Sequence, residues 1–177
     1  MGEEKEDYKS KEICLLAENL FKDYISFRNE LIKIYDTTLR LAYFIGFVNE
    51  WLIFKDLGFV VITGGFAVEL LTGRAYRTLD IDLITSNPKV AKILEKFLEK
   101  ISERIGRGYL SIYEELAAKS IDIVATIYTR QKPPLKMIVY DKTIYIDPPE
   151  DLIVTYLSAW KYWDSTLDRD KAVTGFI

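Results

Sequence analysis

The chain has 177 residues, 49% of them hydrophobic, with a formal net charge of −3 and a pI near 5.2. That length fits one domain with a real core and excludes wholesale disorder, and the acidic balance gives no global positive field of the kind that coats DNA or RNA. With no histidine and one cysteine, histidine-based acid–base and zinc chemistry and an internal disulfide are excluded, so metal and proton chemistry falls to carboxylates.

The first dozen residues, MGEEKEDYKSKE, are charged and lack the apolar core of a signal peptide. Apolar residues then recur at helical spacing over residues 10–35, with Ile13, Leu16, Leu20, Phe27, Leu31 and Ile34 on one side. Cys14 falls among Ile13, Leu15 and Leu16, a setting that predicts a buried, inert thiol. Residues 39–57 are apolar nearly all round, which predicts a helix packed on several sides by the fold or by a partner chain, and ended by Gly58. Its most apolar stretch is shorter than a bilayer span and contains Arg40, Asn49 and Glu50, so a cytoplasmic protein with no membrane segment is expected.

Residues 59–63 read as a strand, Gly64-Gly65 as a turn, and residues 66–71 as a short helix ended by Gly73. Residues 78–85, TLDIDLIT, alternate polar and apolar as a half-buried strand does. Asn87 and Pro88 then cap and open a helix that the apolar stripe carries to residue 105. The segment 109–119 fits a strand, a helix, or a strand followed by a helix, with the strand placed first. Residues 120–127, 136–140 and 143–146 are strands, and Asp147, Pro148-Pro149 and Glu150 mark the start of an aromatic-rich helix to about residue 164. These elements predict an α+β protein with a mixed sheet. Its regions are an N-terminal helical part over 1–57, a core over 58–147 and a C-terminal helical segment over 148–177.

In the strand 78–85, Asp80 and Asp82 share one face while Leu79, Ile81 and Leu83 take the other, with α-carbons roughly 6.6 Å apart. Two carboxylates at that spacing can converge on one hard cation, Mg²⁺ or Mn²⁺. By itself an Asp-x-Asp pair is more often the wet face of a strand. Gly64-Gly65, set between a strand and a helix, adds backbone N–H groups and a helix N-terminus able to meet a phosphate.

The run VITGGFAVELLTGRAYRTLDIDLI resembles the signature of the DNA polymerase beta-type nucleotidyltransferase superfamily: a Gly-Gly turn, a helix, then Asp-x-Asp on the next strand. Within it, Gly73, Arg74, Arg77, Thr78, Asp80 and Asp82 are most similar to the small prokaryotic branch that includes the AbiEii-type toxins, and Glu150, Asp151 and Leu152 match a helix of that branch. Tyr156 stands where many of those relatives carry a lysine; Lys161 lies five residues on.

The resemblance implies a nucleotidyltransferase fold, a toxin–antitoxin context, and a third carboxylate on a neighbouring strand. Asp122 in SIDIVATI is the candidate, with Glu114 and Glu115 competing for the role. It also implies an NTP as substrate, two metal ions held by Asp80, Asp82 and Asp122, Asp122 as general base, and Gly64, Gly65, Arg77 and Lys161 on the nucleotide phosphates. Trp160, Tyr162 and Trp163 offer a stacking surface but at helical spacing fit core packing better. Three readings follow: an active enzyme with an undefined hydroxyl acceptor, a nucleotide-binding relative without catalysis, and an interaction module or homo-oligomer joined through the N-terminal helices.

Overall fold

A computed structural model describes residues 2–163, with side chains from 9 to 162. The amphipathic N-terminal pattern forms α1 (Gly2–Ile32), which buries Ala17, Leu20, Tyr24 and Leu31. Cys14 is exposed on this helix, contrary to expectation, because the buried stripe runs through Ala17 and Leu20 and leaves Cys14 and Leu15 outside it. Asp36 caps α2 (Thr37–Phe54) by accepting from the Leu39 N–H at 3.0 Å. The all-round apolar character of α2 is met inside the chain: α1 lies on one side of it and the last two strands on another. Its end comes before Gly58. Asp56, at φ +54°, takes the left-handed position, and Leu57 N–H returns to Leu52 C=O, the double closure that ends many helices.

Seven strands form one mixed sheet: β1 (Val60–Thr63), β2 (Asp80–Thr85), β3 (Ser102–Ile105), β4 (Gly108–Ser111), β5 (Ser120–Ala125), β6 (Leu135–Val139) and β7 (Lys142–Ile146). Their spatial order is β3-β4-β5-β2-β1-β7-β6, with β2 antiparallel to β1 and parallel to β5, and β7 parallel to β1. Between β1 and β2 lies α3 (Gly64–Leu71), which begins two residues earlier than the expected 66. The Asn87 side chain caps α4 (Pro88–Ile101) through the Val90 N–H. The chain leaves the helix at Ser102 rather than at 105 and turns into the β3–β4 hairpin, where Gly106 takes φ +58°. Segment 109–119 is a strand and then a single 3-10 turn, Glu114–Leu116. The last helix is α5 (Pro149–Trp163).

Alternation along the strands separates two faces. Val60, Ile62, Ile81, Leu83, Tyr109, Ile121, Ile144 and Ile146 join residues of α1, α2, α3 and α4 in one apolar core. Each large side chain fully buried there contributes about 1.5–3 kcal/mol. The opposite face carries Thr63, Asp80, Asp82 and Asp122. Because β6 lies three strands beyond β5's neighbour β2, residues 126–134 have to cross the sheet. They do so on this second face, with Tyr128 edge-on to Phe59 and Arg130 paired with Asp147.

Candidate active site

Across the middle of the sheet the register places Asp122 beside Asp82 and Asp82 beside Thr63. Ile62 pairs with Ile146, so Asp147, the next residue, reaches the same row, and the Thr63 hydroxyl donates to it at 2.8 Å. Paired residues on adjacent strands point to the same face, so Asp122, Asp82, Thr63 and Asp147 form one polar line over four strands. Asp80, two residues before Asp82, shares that face and is exposed. The strand registers thus put Asp80, Asp82 and Asp122, the three aspartates singled out in the sequence, on one face of the sheet.

Gly64 closes the row from above. It takes φ +63°, and a Cβ there would overlap Asp82 Oδ2, so only glycine lets the start of α3 sit against this carboxylate. A Cβ at Gly65 would come within 2.8 Å of the Thr78 hydroxyl. The first backbone N–H groups of α3 therefore stand next to Asp82, in a position that favours an anion.

The loop leading into β2 is fixed from beneath by a buried network. Glu69 of α3, 1% exposed, accepts from the Thr38 hydroxyl at 2.6 Å, the Thr78 N–H at 3.0 Å and the Lys119 ammonium at 3.0 Å. Lys119 also donates to Thr78 C=O. Burial pushes the Glu69 carboxyl up, but these donors outweigh it and hold it below its ordinary range. Thr78, clamped at both backbone groups, donates its hydroxyl to Asp80 at 2.8 Å.

Asp147 differs from its expected role as a helix cap. Its fully buried carboxylate receives the Thr63 hydroxyl and a two-pronged pairing from Arg130, Nε at 3.1 Å and Nη2 at 2.9 Å, and the helix begins two residues later. The carboxylate raises the Arg130 pKa further above its ordinary value. Tyr128, half-buried on the same crossing and near Asp147, is pushed up to about 12 by that burial and by the Asp147 charge.

Of the other singled-out residues, Arg77 is exposed in the loop before Thr78. Lys161 is exposed in the last turn of α5, its ammonium 5.5 Å from the Tyr162 ring centre, and no described contact joins it to the aspartates. Arg74 is paired with Asp36. Glu115 is buried away from the row, where it accepts from Tyr24 at 2.9 Å and pairs with Arg28. Tyr156 is buried in the core, and residues 164–177 lie outside the described residues. No sequence motif marks Glu69, Lys119 or Arg130, and Asp147 reads there only as a helix cap; a clue is the polar residue directly after an apolar strand (Asp147) or directly before one (Lys119).

Three carboxylates are hard oxygen donors suited to Mg²⁺ or Mn²⁺. Among the described residues no three such groups are gathered closely enough to hold an ion as they stand. Their strand positions already share one face, and side-chain rotation, of Asp80 away from Thr78 in particular, is what gathering them requires. The donor set fits such an ion.

No protein-family model and no curated protein sequence matches the chain. Among solved structures, the chain is similar to an antigenic nucleotidyltransferase-like protein from Paracoccidioides brasiliensis, with a TM-score of 0.56 at 15% identity over 76% of this chain and 74% of that one. The fold is thus a nucleotidyltransferase-like α+β fold. More distant are two structures of ANT(2")-Ia, one in complex with adenylyl-2"-tobramycin, at TM-scores of 0.42 and 0.41 and 17% and 18% identity; they cover 66% of this chain and 76% and 72% of theirs. No described helix is long and apolar enough to cross a membrane.

Proposed function

We propose that the chain is a metal-dependent nucleotidyltransferase that moves a nucleoside monophosphate from an NTP to a hydroxyl acceptor. The observation that supports this best is the side-by-side pairing of Asp82 and Asp122, with Asp80 two residues away on the same face, directly below the N-terminus of α3. The likeness of the run from Gly73 to Asp82 to the AbiEii-type branch supports a place in that branch and a toxin–antitoxin context.

Asp80, Asp82 and Asp122 would hold a Mg²⁺ or Mn²⁺ ion, which would supply Lewis acidity and offset the charge of the triphosphate. The N–H groups at the start of α3 bind phosphate oxygens, and Arg77 and Lys161 are further candidates for them. Asp122 takes the proton of the acceptor hydroxyl. The bond from acceptor oxygen to the α-phosphorus forms as the bond to the pyrophosphate oxygen breaks, and pyrophosphate leaves.

The test is a screen of the four labelled NTPs with Mg²⁺ or Mn²⁺ against cell extract, reading which nucleotide becomes attached and to what. Asp82→Asn is expected to lower transfer by about 10²-fold or more, the scale of losing one transition-state contact. Undiminished transfer in both Asp80→Asn and Asp82→Asn sinks the proposal.

One observation favours a binding-only relative. Tyr156 is buried in the core at the position where the resembling branch carries lysine. On that reading nucleotide binds, and metal-dependent pyrophosphate release is absent with every acceptor tried. The interaction-module reading keeps only part of its support: most of α2 is covered by the chain's own helices and strands, while Ile53 and Phe54 at its end and Leu15, Ile25 and Ile32 on α1 are exposed.

A further inference from the structure

We infer that Arg130, held in place by buried Asp147, is a triphosphate-binding residue, and that the bound nucleotide lies along the row from Asp82 past Thr63 to Asp147. The inference rests on the nucleotidyltransferase reading and extends it to a residue that no sequence motif marks.

Strands β2, β1 and β7 are consecutive in the sheet, so Asp147 stands two strand spacings, about 10 Å, from Asp82 on the same face. Asp147 is 0% exposed, while the Arg130 side chain paired with it is 31% exposed. The carboxylate is thus sealed beneath the guanidinium, and the guanidinium is the member that meets solvent.

A guanidinium carries five N–H groups, and the pairing with Asp147 takes two of them. A fork pinned on one edge loses little freedom when its remaining donors meet a phosphate, which is the arrangement in which arginine binds phosphate best. The row otherwise consists of carboxylates and a hydroxyl; Arg130 is the cation paired with it at Asp147, while Arg104 and Arg107 line a hollow with Asp122 at its other end.

A purely stabilising pair would be an expensive solution. Burying a carboxylate costs several kcal/mol before its partners repay it, and apolar residues of similar volume do as well or better. Here the charge sits beside Thr63, the residue that pairs with Asp82 and precedes the Gly64 turn. The crossing segment that carries Arg130 also brings Tyr128 against Phe59, so the guanidinium is held on the face where the aspartates stand.

Titration calorimetry in Mg²⁺ and in Mn²⁺ tests this, using the α,β-methylene analogues of the four NTPs, inorganic triphosphate and the free nucleosides as probes. The double variant Arg130→Met with Asp147→Asn removes both charges together and leaves no buried carboxylate unpaired. At least a tenfold loss of affinity for the analogues and for inorganic triphosphate is expected, with nucleoside affinity and melting temperature kept near those of the unaltered protein. A purely structural pair would shift melting and leave triphosphate binding alone. Should the double variant not fold, Arg130→Lys decides, since it keeps the charge and loses the fork: a tenfold loss supports the inference. Unchanged triphosphate affinity in the folded variant overturns it while leaving the nucleotidyltransferase reading intact. If the unaltered chain binds none of the analogues with either metal, that reading falls, and this inference with it.

Discussion

Lys119 shows how one side chain can set the geometry of a site it does not enter. Its ammonium holds the Glu69 carboxylate and the Thr78 carbonyl at once, and Thr78 in turn orients Asp80. Lys119→Met would leave Glu69 buried without its cation, and breaking a buried pair from one side costs about 3–5 kcal/mol. Urea denaturation at neutral pH is expected to show a loss of that size, and adding Glu69→Gln to the same chain should recover part of it. Recovery is the informative result, because a loss due only to missing methylene packing would persist in the double variant. The two residues are 50 positions apart, and in the sequence Glu69 is one polar residue among apolar neighbours while Lys119 only precedes a strand. Asp80 and Asp82, by contrast, were legible because strand periodicity needs no distant partner to be recognised.

At the scale of elements, the Gly64 turn and the crossing of residues 126–134 shape the candidate site. Gly64→Ala would put a side chain at φ +63° and against Asp82. The backbone conformation alone costs about 1–2 kcal/mol. Nucleotide transfer should fall by more than that stability loss explains, because Asp82 must move. A chemical-denaturation curve run beside a transfer assay separates the two, and a variant that unfolds earlier but transfers normally would show the turn to be structural only. The turn was visible as strand, Gly-Gly and helix. The crossing was not: Arg130 to Pro134 looks like a linker until the strand order puts β2, β1 and β7 beneath it. The end of α4 was misplaced for a related reason. Ile101 and Ile105 are four apart and mimic another helical turn, yet Ser102–Ile105 is paid for by hydrogen bonds to β4 in a hairpin that local spacing does not reveal.

For the molecule as a whole, the N-terminal helices are part of the same core as the sheet, joined by a buried and a half-buried carboxylate as well as by apolar contact. Glu115 binds Tyr24 and Arg28 of α1, and Asp36, which caps α2, pairs with Arg74 beyond α3. For Glu115 burial acts upward, but Arg28 and the other donors prevail and lower its pKa from 4.5; for Asp36 burial is likewise outweighed, by the Leu39 N–H and Arg74, and the pKa falls from 3.8. Glu69 behaves in the same way from 4.5. A carboxyl with a depressed folded-state pKa binds protons more readily when unfolded. Its stabilisation is therefore present above the unfolded value and is lost as pH falls through the folded one. Stability should hold from neutral pH down to about the ordinary carboxyl values near 4.5 and 3.8 and then decline steadily. Glu115→Gln is expected to be less stable at neutral pH but to lose less on acidification, so its urea midpoint and that of the unaltered chain should converge below pH 4.5. If the two midpoints stay parallel down to acid pH, the Arg28–Glu115 contact does not supply the acid sensitivity assigned to it.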